Sequence, residues 1–337
     1  MDILEQGEGE LLGWVDPDVQ RKWVSQNKPR TLRDKRTSLK EAVDRFVHDG
    51  DYVAFGGFGH VRVPMATVQE IVRQRKSNLT LAGKTAEHDG DILIAAGCVK
   101  RIEVAYAFGH ELRGLSPASR RAVENGKVKV VAEISNAGFQ WRLKAAAMGI
   151  PFMPARVMLG TDTFKYSSAK IAKDPFSQKP VCLVPACYPD VVALHVHRCD
   201  KYGNCQIDGI RVMDLELSQA AKRLIITTEE IVSEEIIRKE PWRTDIPFYL
   251  VDAVIEQPYG CHPGNMPYLY YFDEAHMAEW LKQSKTEEGA KRYFERYVYG
   301  VNDFGEYLAL VGGAKKQQYL RELEQMRVPL NAPWAAD

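Results

Sequence analysis

Residues 48–64 read HDGDYVAFGGFGHVRVP, and this segment predicts one complete step of an α/β fold. The apolar run Tyr52–Phe55 is typical of a short buried strand, and it ends at Gly56 and Gly57, where the backbone can adopt a positive φ. Pro64 then opens a stretch whose apolar residues recur at helical spacing. A strand, a glycine turn and a helix within about twenty residues indicate a βα unit of a parallel sheet.

The glycine turn has two interpretations. Free N–H groups at a turn that precedes a helix can hold an anion or a carbonyl oxygen. A glycine pair also serves many tight turns that bind nothing, because glycine adopts a positive φ at no steric cost. The residue types of this segment alone leave both interpretations open.

The rest of the first half repeats the alternation of strand and helix patterns. Ser38 and Glu41 form a capping box that starts a helix. Further strands are predicted at residues 79–83, 101–107 and 128–134, and further helices at residues 91–97, 117–123 and 139–148. This alternation predicts an α/β protein with a mainly parallel sheet and helices on both faces.

The second half continues with strands and one hairpin. Strands are predicted at residues 181–185, 191–197, 224–228 and 249–255, a hairpin turn at 200–204 and a surface loop at 165–179. The segment 258–264, rich in proline and glycine, follows a strand, where open α/β sheets place their ligands. We divide the chain into an N-terminal extension (1–37) with one short helix, one main domain (38–325) and a loose C-terminal tail (326–337).

The composition narrows the classes of function. The 337 residues are 45% hydrophobic and 27% charged, and 45 Lys and Arg balance 45 Asp and Glu. No net charge therefore draws the chain to nucleic acid or to an anionic membrane. The sequence lacks a long apolar run, and its first residues lack the basic start and apolar core of a signal peptide. We expect a cytoplasmic protein with neither a nucleic acid nor a membrane partner.

One cluster of histidines and a cysteine has the spacing of metal ligands. Alternation places His195, His197 and Cys199 on one face of a strand. The turn-rich insert that follows makes the flanking runs a hairpin, in which the same spacing suits packing. We therefore predict no metal site, and we expect the cysteines to be reduced thiols.

The pattern DGDYVAFGGF followed by Arg62-Val63-Pro64 resembles the signature of the alpha-type subunit of family I coenzyme A transferases. Within that family it is most similar to the glutaconate CoA-transferase branch, in which an arginine stands two residues before the proline. Arg62 is that arginine in this sequence. Matches at 160–162 and 259–263 extend the resemblance over about residues 38–315.

The resemblance implies an activity that needs a second chain. In family I transferases a glutamate of the beta subunit carries out the attack on the acyl-CoA thioester and passes the CoA to a carboxylic acid. The resemblance therefore implies no catalytic residue in this chain, a hetero-oligomer whose second partner is a CoA-transferase beta subunit, and acyl-CoA and carboxylic acid substrates. Coenzyme A is then a substrate, and no tightly bound cofactor is expected. Glu124-Asn125-Gly126 resembles the glutamate motif of the beta subunit, but an Asn-Gly pair is also typical of a helix end.

The resemblance also implies a set of substrate-binding residues. They are Gly56, Gly57, Phe58, Arg62, Ser135, Asn136, Thr161 and His262. Gly56, Gly57 and Phe58 would form the floor of the site, and Thr161 would donate a hydrogen bond. The planar fork of Arg62 would bind the second carboxylate of a dicarboxylate monothioester such as glutaconyl-CoA.

Several of these positions also have structural interpretations. Arg62 suits a surface or interface ion pair. The Ser135-Asn136 pair stands at a strand's end and can serve only to cap the next helix. His262 can pack on the aromatic ring of Tyr268 or Tyr270.

Other activities stay open on the same scaffold. The ring-cleaving hydrolases that resemble these transferases carry a glutamate at the position of Asn136. Asparagine cannot act as a general base, so its presence favours the transferase over the hydrolase. A decarboxylase and a non-catalytic ligand-binding module are the remaining alternatives.

Overall fold

The computed structural model describes residues 2–110 and 113–330. Its strands are β1 (Ile3–Gln6), β2 (Tyr52–Phe55), β3 (Leu79–Gly83), β4 (Val99–Val104), β5 (Gly109–His110), β6 (Gly114–Leu115), β7 (Lys129–Glu133), β8 (Phe152–Ala155), β9 (Lys170–Lys173), β10 (Pro180–Pro185), β11 (Val191–Cys199), β12 (Cys205–Gln206), β13 (Arg223–Ile231) and β14 (Ala253–Glu256). Its helices are α1 (Pro17–Asn27), α2 (Leu39–Phe46), α3 (Met65–Arg73), α4 (His88–Ala95), α5 (Pro117–Glu124), α6 (Asn136–Met148), α7 (Asp162–Lys165), α8 (Asp214–Ala220), α9 (Glu234–Lys239), α10 (Glu274–Gln283), α11 (Glu287–Phe294), α12 (Phe304–Leu310) and α13 (Gly313–Glu324). Short 3₁₀ turns span Pro241–Arg243 and Phe248–Leu250, and a π-helical turn spans Glu295–Tyr299. Residues 331–337, which make up more than half of the predicted tail, lie outside the described residues.

A parallel sheet organises the described part of the chain, with the strand order β14-β13-β11-β2-β3-β4-β7. The short strand β12 pairs antiparallel with the end of β11. Strands β3, β4 and β7 follow β2 to one side, whereas β11, β13 and β14 extend to the other. The strand order therefore reverses between β2 and β11, and open α/β sheets bind ligands at such a switch point. The predicted α/β class with a mainly parallel sheet is confirmed.

Local signals start the helices near the positions that the sequence predicts. The hydroxyl of Ser38 accepts the Glu41 N–H at 3.2 Å, and the Glu41 carboxylate accepts the Ser38 N–H at 3.2 Å, which completes the capping box of α2. Helix α3 begins directly after Pro64. Helix α6 begins three residues earlier than predicted, because Ser135 caps it.

Residues of one strand alternate between two apolar cores. Val53 of β2 packs in a core with Trp280 of the C-terminal helices, and the next residue, Ala54, packs in a second core with Phe139 of α6. This alternation follows from the two-residue period of a strand. Each core covers one face of the sheet, so the prediction of helices on both faces is confirmed.

A second sheet, with the strand order β1-β9-β10-β8, is antiparallel and was not predicted. The prediction of a surface loop at 165–179 is wrong at β9, where Ile171 and Ala172 are buried and the flanking lysines are exposed. Two buried residues are too few to give a strand pattern in the sequence. The predicted strand at 249–255 is also too long, because Phe248–Leu250 forms a 3₁₀ turn.

The predicted N-terminal extension packs against the rest of the described chain. Strand β1 pairs with β9, and α1 is the helix expected there. After α1, the ammonium of Lys28 donates to Asp252 at 2.5 Å and to the carbonyl of Leu250 at 2.9 Å. The division at residues 37 and 325 stays a prediction. No helix in the described residues has both the length and the apolar character needed to cross a membrane.

A buried ion pair joins the main sheet to α6. The guanidinium of Arg142 donates to the carboxylate of Glu103 at 2.5 Å, and both side chains are almost fully buried. The hydroxyl of Tyr52 donates to the same carboxylate at 2.6 Å. Arg142 also donates to the carbonyl of Pro185 in the antiparallel sheet at 3.1 Å and to the carbonyl of Leu12 at 2.5 Å. One arginine therefore connects both sheets, α6 and the N-terminal segment.

Replacing Glu103 with Gln should destabilise the fold, because Arg142 would become a buried cation without a carboxylate. We expect Glu103→Gln to lower the free energy of unfolding by about 3–5 kcal/mol, measured by urea denaturation. The control is Glu124→Gln, whose pair with Arg120 lies on the surface and should contribute less than about 1 kcal/mol. Equal, small losses in the two variants would contradict the structural role of the buried pair.

Candidate functional site

The glycine turn lies at the carboxyl end of β2, beside the switch point of the sheet. The N–H of Gly56 donates to the carbonyl of Ala193 in β11 at 2.9 Å, which carries the ladder one residue beyond β2. The chain then turns, and Phe58 and Val61 exchange two backbone hydrogen bonds of 3.0 and 2.8 Å. This position is the one at which an open α/β sheet places a ligand.

Both glycines are required by protein atoms beside the turn. A Cβ on Gly56 would lie 2.3 Å from Asp214 Oδ1, and a Cβ on Gly57 would lie 2.2 Å from the carbonyl oxygen of Val61. Gly57 also has a φ of +81°. Its N–H donates to Asp214 Oδ1 at 2.9 Å, so this donor is occupied by an internal carboxylate. Both glycines are therefore needed for steric reasons within the chain, independently of their predicted role as the floor of the substrate site.

Arg62 forms a buried ion pair with Asp214 and is not directed to the surface. Its side chain is 0% exposed, and the guanidinium also donates to the carbonyl of Ile210 at 2.6 Å. The guanidinium group that was predicted to bind a substrate carboxylate therefore binds a carboxylate of the same chain. The alternative interpretation, an ion pair, is the arrangement found, although the pair is buried and not on the surface. The contact of Arg62 with substrate stays a prediction, which the burial of its side chain disfavours.

Five residues at the carboxyl ends of β2, β3 and β7 form what we call the edge cluster: Phe58, Lys84, Thr85, Ser135 and Asn136. The ammonium of Lys84 lies over the ring of Phe58, 4.8 Å from its centroid. The hydroxyl of Thr85 donates to Asn136 Oδ1 at 3.4 Å. Residues 84–85 therefore connect the glycine turn to the start of α6, and they bring together two regions that the sequence predicts separately.

The start of α6 serves both as a cap and as part of the cluster. Ser135 Oγ accepts the N–H of Gly138 at 3.0 Å, which is the predicted N-cap. The adjacent Asn136 is exposed, and its side chain reaches Thr85. The capping interpretation is correct for Ser135, and it leaves the amide of Asn136 accessible from outside the chain.

Lys84 and Thr85 are held in an unusual environment. Thr85 has a φ of +49°, which is uncommon for a β-branched residue and occurs often at functional sites. Lys84 is only 7% exposed, yet its ammonium has no hydrogen bond and no ion pair within the part of the chain that the structure describes. Burial lowers the pKa of the Lys84 ammonium below its ordinary value, and the charge of Asp214 opposes that shift.

Two other predicted residues do not join the edge cluster. Thr161 is exposed, and its hydroxyl donates to the carbonyl of Met158 at 2.8 Å. His262 is 1% exposed, with its ring bonded to the hydroxyl of Tyr307 at 2.7 Å and to Asp273 at 3.2 Å. The predicted packing of His262 on Tyr268 or Tyr270 is wrong, because its ring lies against Tyr307 of α12 and His276 of α10.

The histidines of β11 have internal partners on both ring nitrogens. His195 bonds to Thr227 at 2.8 Å and to Glu229 at 2.7 Å. His197 bonds to the carbonyl of Pro267 at 2.9 Å and to the N–H of Asp208 at 3.1 Å. Among the described residues, no group of three or more His, Cys, Asp or Glu side chains has the arrangement of a metal site. The six cysteines are buried free thiols.

Behind the glycine turn lies a second set of polar side chains, which are enclosed. Both carboxylate oxygens of Glu87 are buried without a hydrogen-bond partner among the described residues, and His60 Nδ1 lies 3.9 Å from one of them. Asp89 follows in the first turn of α4 and is 5% exposed. Burial raises the pKa of Asp89 to about 7, and the charge of Glu87 raises it as well.

Sequence reasoning missed Lys84, Thr85 and Asp214. A signal for the first two was present, because they directly follow the strand 79–83, which was predicted to end in glycine. Open α/β sheets bind ligands beyond the carboxyl ends of their strands, and residues 84 and 85 occupy that position after the strand 79–83. Asp214 has no local signal, since its partners Gly57 and Arg62 are more than 150 residues away in the sequence.

A family model described as coenzyme A transferase matches residues 36–257. An uncharacterized protein of Archaeoglobus fulgidus is 64% identical over 334 residues, which cover 99% of this chain and 75% of the relative. One of the subunits of the glutaconate CoA-transferase of Acidaminococcus fermentans is 35% identical over 298 residues, which cover 83% of this chain and 93% of the relative. The similarity therefore extends well beyond the glycine turn.

Solved structures agree with the sequence comparisons. The crystal structure of glutaconate coenzyme A-transferase from Acidaminococcus fermentans matches with a TM-score of 0.81 at 33% identity, and the match covers 85% of this chain and 95% of that one. The crystal structure of the decarboxylase AibA/AibB matches with a TM-score of 0.69 at 32% identity, covering 78% of this chain and 98% of that one. The same fold therefore occurs in proteins named for different reactions.

Replacing Arg62 should affect stability, because Asp214 would lose the guanidinium that neutralises it. We expect Arg62→Met to lower the free energy of unfolding by about 3–5 kcal/mol, measured by urea denaturation. The control is the double variant with Asp214→Asn, which removes the buried charge but keeps an acceptor for the N–H of Gly57. The double variant should lose less free energy of unfolding than the sum of the losses in Arg62→Met and Asp214→Asn, by more than about 1 kcal/mol. Strictly additive losses would show that the two side chains are not coupled.

The raised pKa of Asp89 predicts a pH dependence of stability. The folded-state pKa of about 7 lies above the ordinary value of 3.8. The contribution of Asp89 is therefore complete below about pH 4 and is lost as the pH rises through about 7. Asp89→Asn should match the wild type at low pH and exceed its free energy of unfolding at about pH 8.5, measured by denaturant titration. The exposed Asp44→Asn is the control, and an equal pH profile for Asp89→Asn and the wild type would disprove the prediction.

Proposed function

This chain belongs to the coenzyme A transferase family, and from that premise we propose that it is the alpha subunit of a heteromeric CoA-transferase. The proposed reaction moves CoA between an acyl-CoA and a carboxylic acid, so CoA is a substrate and not a resident cofactor. The nucleophilic glutamate would come from a separate beta chain. A dicarboxylate monothioester such as glutaconyl-CoA is the acyl donor we propose.

The edge cluster is the observation that carries this proposal. It places an ammonium, hydroxyls and an amide at the carboxyl edge of the sheet, close to the switch point, and it contains no carboxylate. Attack of a carboxylate on a thioester builds negative charge on the carbonyl oxygen, and preorganised donors stabilise that charge. The cluster offers such donors and lacks a nucleophile, which is the division of labour expected of an alpha subunit.

Three glutamates of this chain, the candidate Glu124 among them, are engaged in other interactions. Glu124 ends α5 and pairs with Arg120 at 2.7 Å on the surface, so its resemblance to the beta-subunit motif is superficial. Glu103 is bound to Arg142 in the interior. Glu229 accepts hydrogen bonds from the hydroxyl of Tyr270 and from the N–H of Tyr259. None of these three carboxylates belongs to the edge cluster.

The transfer reaction also suits an amide at position 136. A carboxylate attacks the thioester carbonyl, the C–S bond breaks, and the CoA thiolate then attacks the resulting anhydride to give a glutamyl thioester. The released acid is replaced by the acceptor, and the same steps run in reverse. No step requires a general base, so Asn136 can act as a hydrogen-bonding group only. Hydrolysis, in contrast, requires an activated water.

The predicted site residues now divide by position. We propose Phe58, Ser135 and Asn136 as the residues nearest to substrate, above a floor formed by Gly56 and Gly57. Thr161 stays a proposal, because its own hydrogen bond leads to Met158 and not to the cluster. Arg62 and His262 are left out of the substrate-binding set because they are enclosed.

The proposed function is tested by producing this chain together with a CoA-transferase beta chain encoded beside it. The complex is incubated with glutaconyl-CoA and acetate, and mass spectrometry follows acetyl-CoA and a CoA adduct on a partner glutamate. We expect both products from the complex and neither from this chain alone. Free CoA without acetyl-CoA would indicate a hydrolase, and release of CO₂ with retention of the thioester would indicate a decarboxylase. Either result would overturn the proposed transfer.

A further inference from the structure

Lys84 is an enclosed cation without an anion. Only 7% of its surface is exposed, and in the described residues its ammonium has no acceptor. Lysine is almost never buried without a partner, because removing an ammonium group from water is costly. The ring of Phe58, 4.8 Å away, offsets part of that cost through its π-electrons. An aromatic ring does not accept the three hydrogen bonds that an ammonium group can donate.

The reason for the missing partner is visible in the same turn. Asp214 is the carboxylate whose charge acts on Lys84, but it is already bound to Arg62 and to the N–H of Gly57. Each of its two oxygens therefore already accepts one hydrogen bond from another donor. Arg62 neutralises the internal carboxylate, and Lys84 is left as the cation that faces the carboxyl edge of the sheet.

The ammonium of Lys84 can be reached from outside the chain. The unpaired polar atoms that are completely enclosed include those of Glu87 and His60 behind the turn, and Lys84 Nζ is not among them. Thr85 and Asn136 stand beside it, and Asn136 is exposed. The ammonium of Lys84 is therefore partly open to a small anion, although most of the side chain is buried.

We propose that Lys84 is the specificity-determining residue that binds the carboxylate of the acid substrate, with Phe58 holding the ammonium in place when the site is empty. This inference rests on the proposed function, which requires a carboxylic acid at this edge. An ammonium group donates to a carboxylate as a compact point charge, and the partly desolvated surroundings strengthen the pair. The sequence analysis also predicted a cation that binds a carboxylate, but it assigned Arg62 to the second carboxylate of the acyl-CoA and not to the acid substrate.

A phosphate of CoA offers the same anionic chemistry as the carboxylate. The two sources are separated by measuring the KM for each substrate of the complex independently. A carboxylate site predicts a change in the KM for the acid, with the KM for the acyl-CoA nearly unchanged. A phosphate site predicts the reverse.

The test compares Lys84→Met with Lys84→Arg in the complex of this chain with its beta chain. The methionine keeps the length of the side chain and its contact with Phe58 but removes the charge. We expect Lys84→Met to raise the KM for the acceptor acid by about 10–100-fold, because a charge-assisted hydrogen bond is lost. Lys84→Arg should restore part of this loss. The matched control is Lys100→Met, an exposed lysine near the start of β4.

The outcomes separate this inference from the proposed function. An active wild-type complex whose KM for the acid is unchanged in Lys84→Met, or whose KM rises only for the acyl-CoA, overturns the role of Lys84 alone. If the wild-type complex transfers no CoA, the proposed function fails, and calorimetric titration with the free acid still decides the role of Lys84. Equal affinity of the wild type and Lys84→Met for the acid in that titration would also overturn it. Thermal unfolding of both variants shows whether each is folded. A purely structural role of Lys84 would lower the stability or change the KM for both substrates, and not the KM for the acid alone.

Discussion

The buried ion pair between Arg62 and Asp214 is the interaction on which the candidate site depends. Asp214, at the start of α8, accepts from the backbone of Gly57 and from the guanidinium of Arg62, so it fixes both ends of the turn that follows β2. The lack of a Cβ at Gly56 gives the carboxylate the space it occupies. Because both side chains are fully buried, opening the pair would leave a buried charge without its partner, so we expect the turn to have little freedom to move. A rigid turn at the switch point can then position neighbouring groups for a substrate.

Most of the fold could be predicted from the sequence because its signals are local. The capping box at Ser38, the apolar run of β2 and the glycines that end β2 and β3 each lie within a few residues of the element they define. The antiparallel sheet could not be predicted in the same way. Its strand β9 buries only two residues and is stabilised by pairing with β1, more than 160 residues away in the chain. Pairing over such distances leaves no periodic signal in either segment.

The candidate site was predicted less completely, for a related reason. The motif around Gly56 and the pair at Ser135 were found because residue types at strand ends indicate turns and caps. Which of two cations lacks an internal carboxylate could not be read from residue types, since Arg62 and Lys84 both lie in segments that follow a strand. The choice is made by Asp214, which lies more than 150 residues from Arg62 and has no local motif. The orientation of a charged side chain depends on its distant partners, and a single sequence does not show them.

The charges around the turn support the proposal that this chain forms one half of an active site. On its inner side, Arg62 and Asp214 neutralise each other, and the carboxylate of Glu87 is enclosed. On its outer side, the edge cluster presents Lys84 with neutral hydroxyl and amide groups. A lysine among neutral groups attracts carboxylates, whether they belong to a substrate or to the side chain of another protein. A nucleophilic glutamate of a partner and the acid substrate would therefore both be drawn to the same edge, where the transfer of CoA requires them to meet.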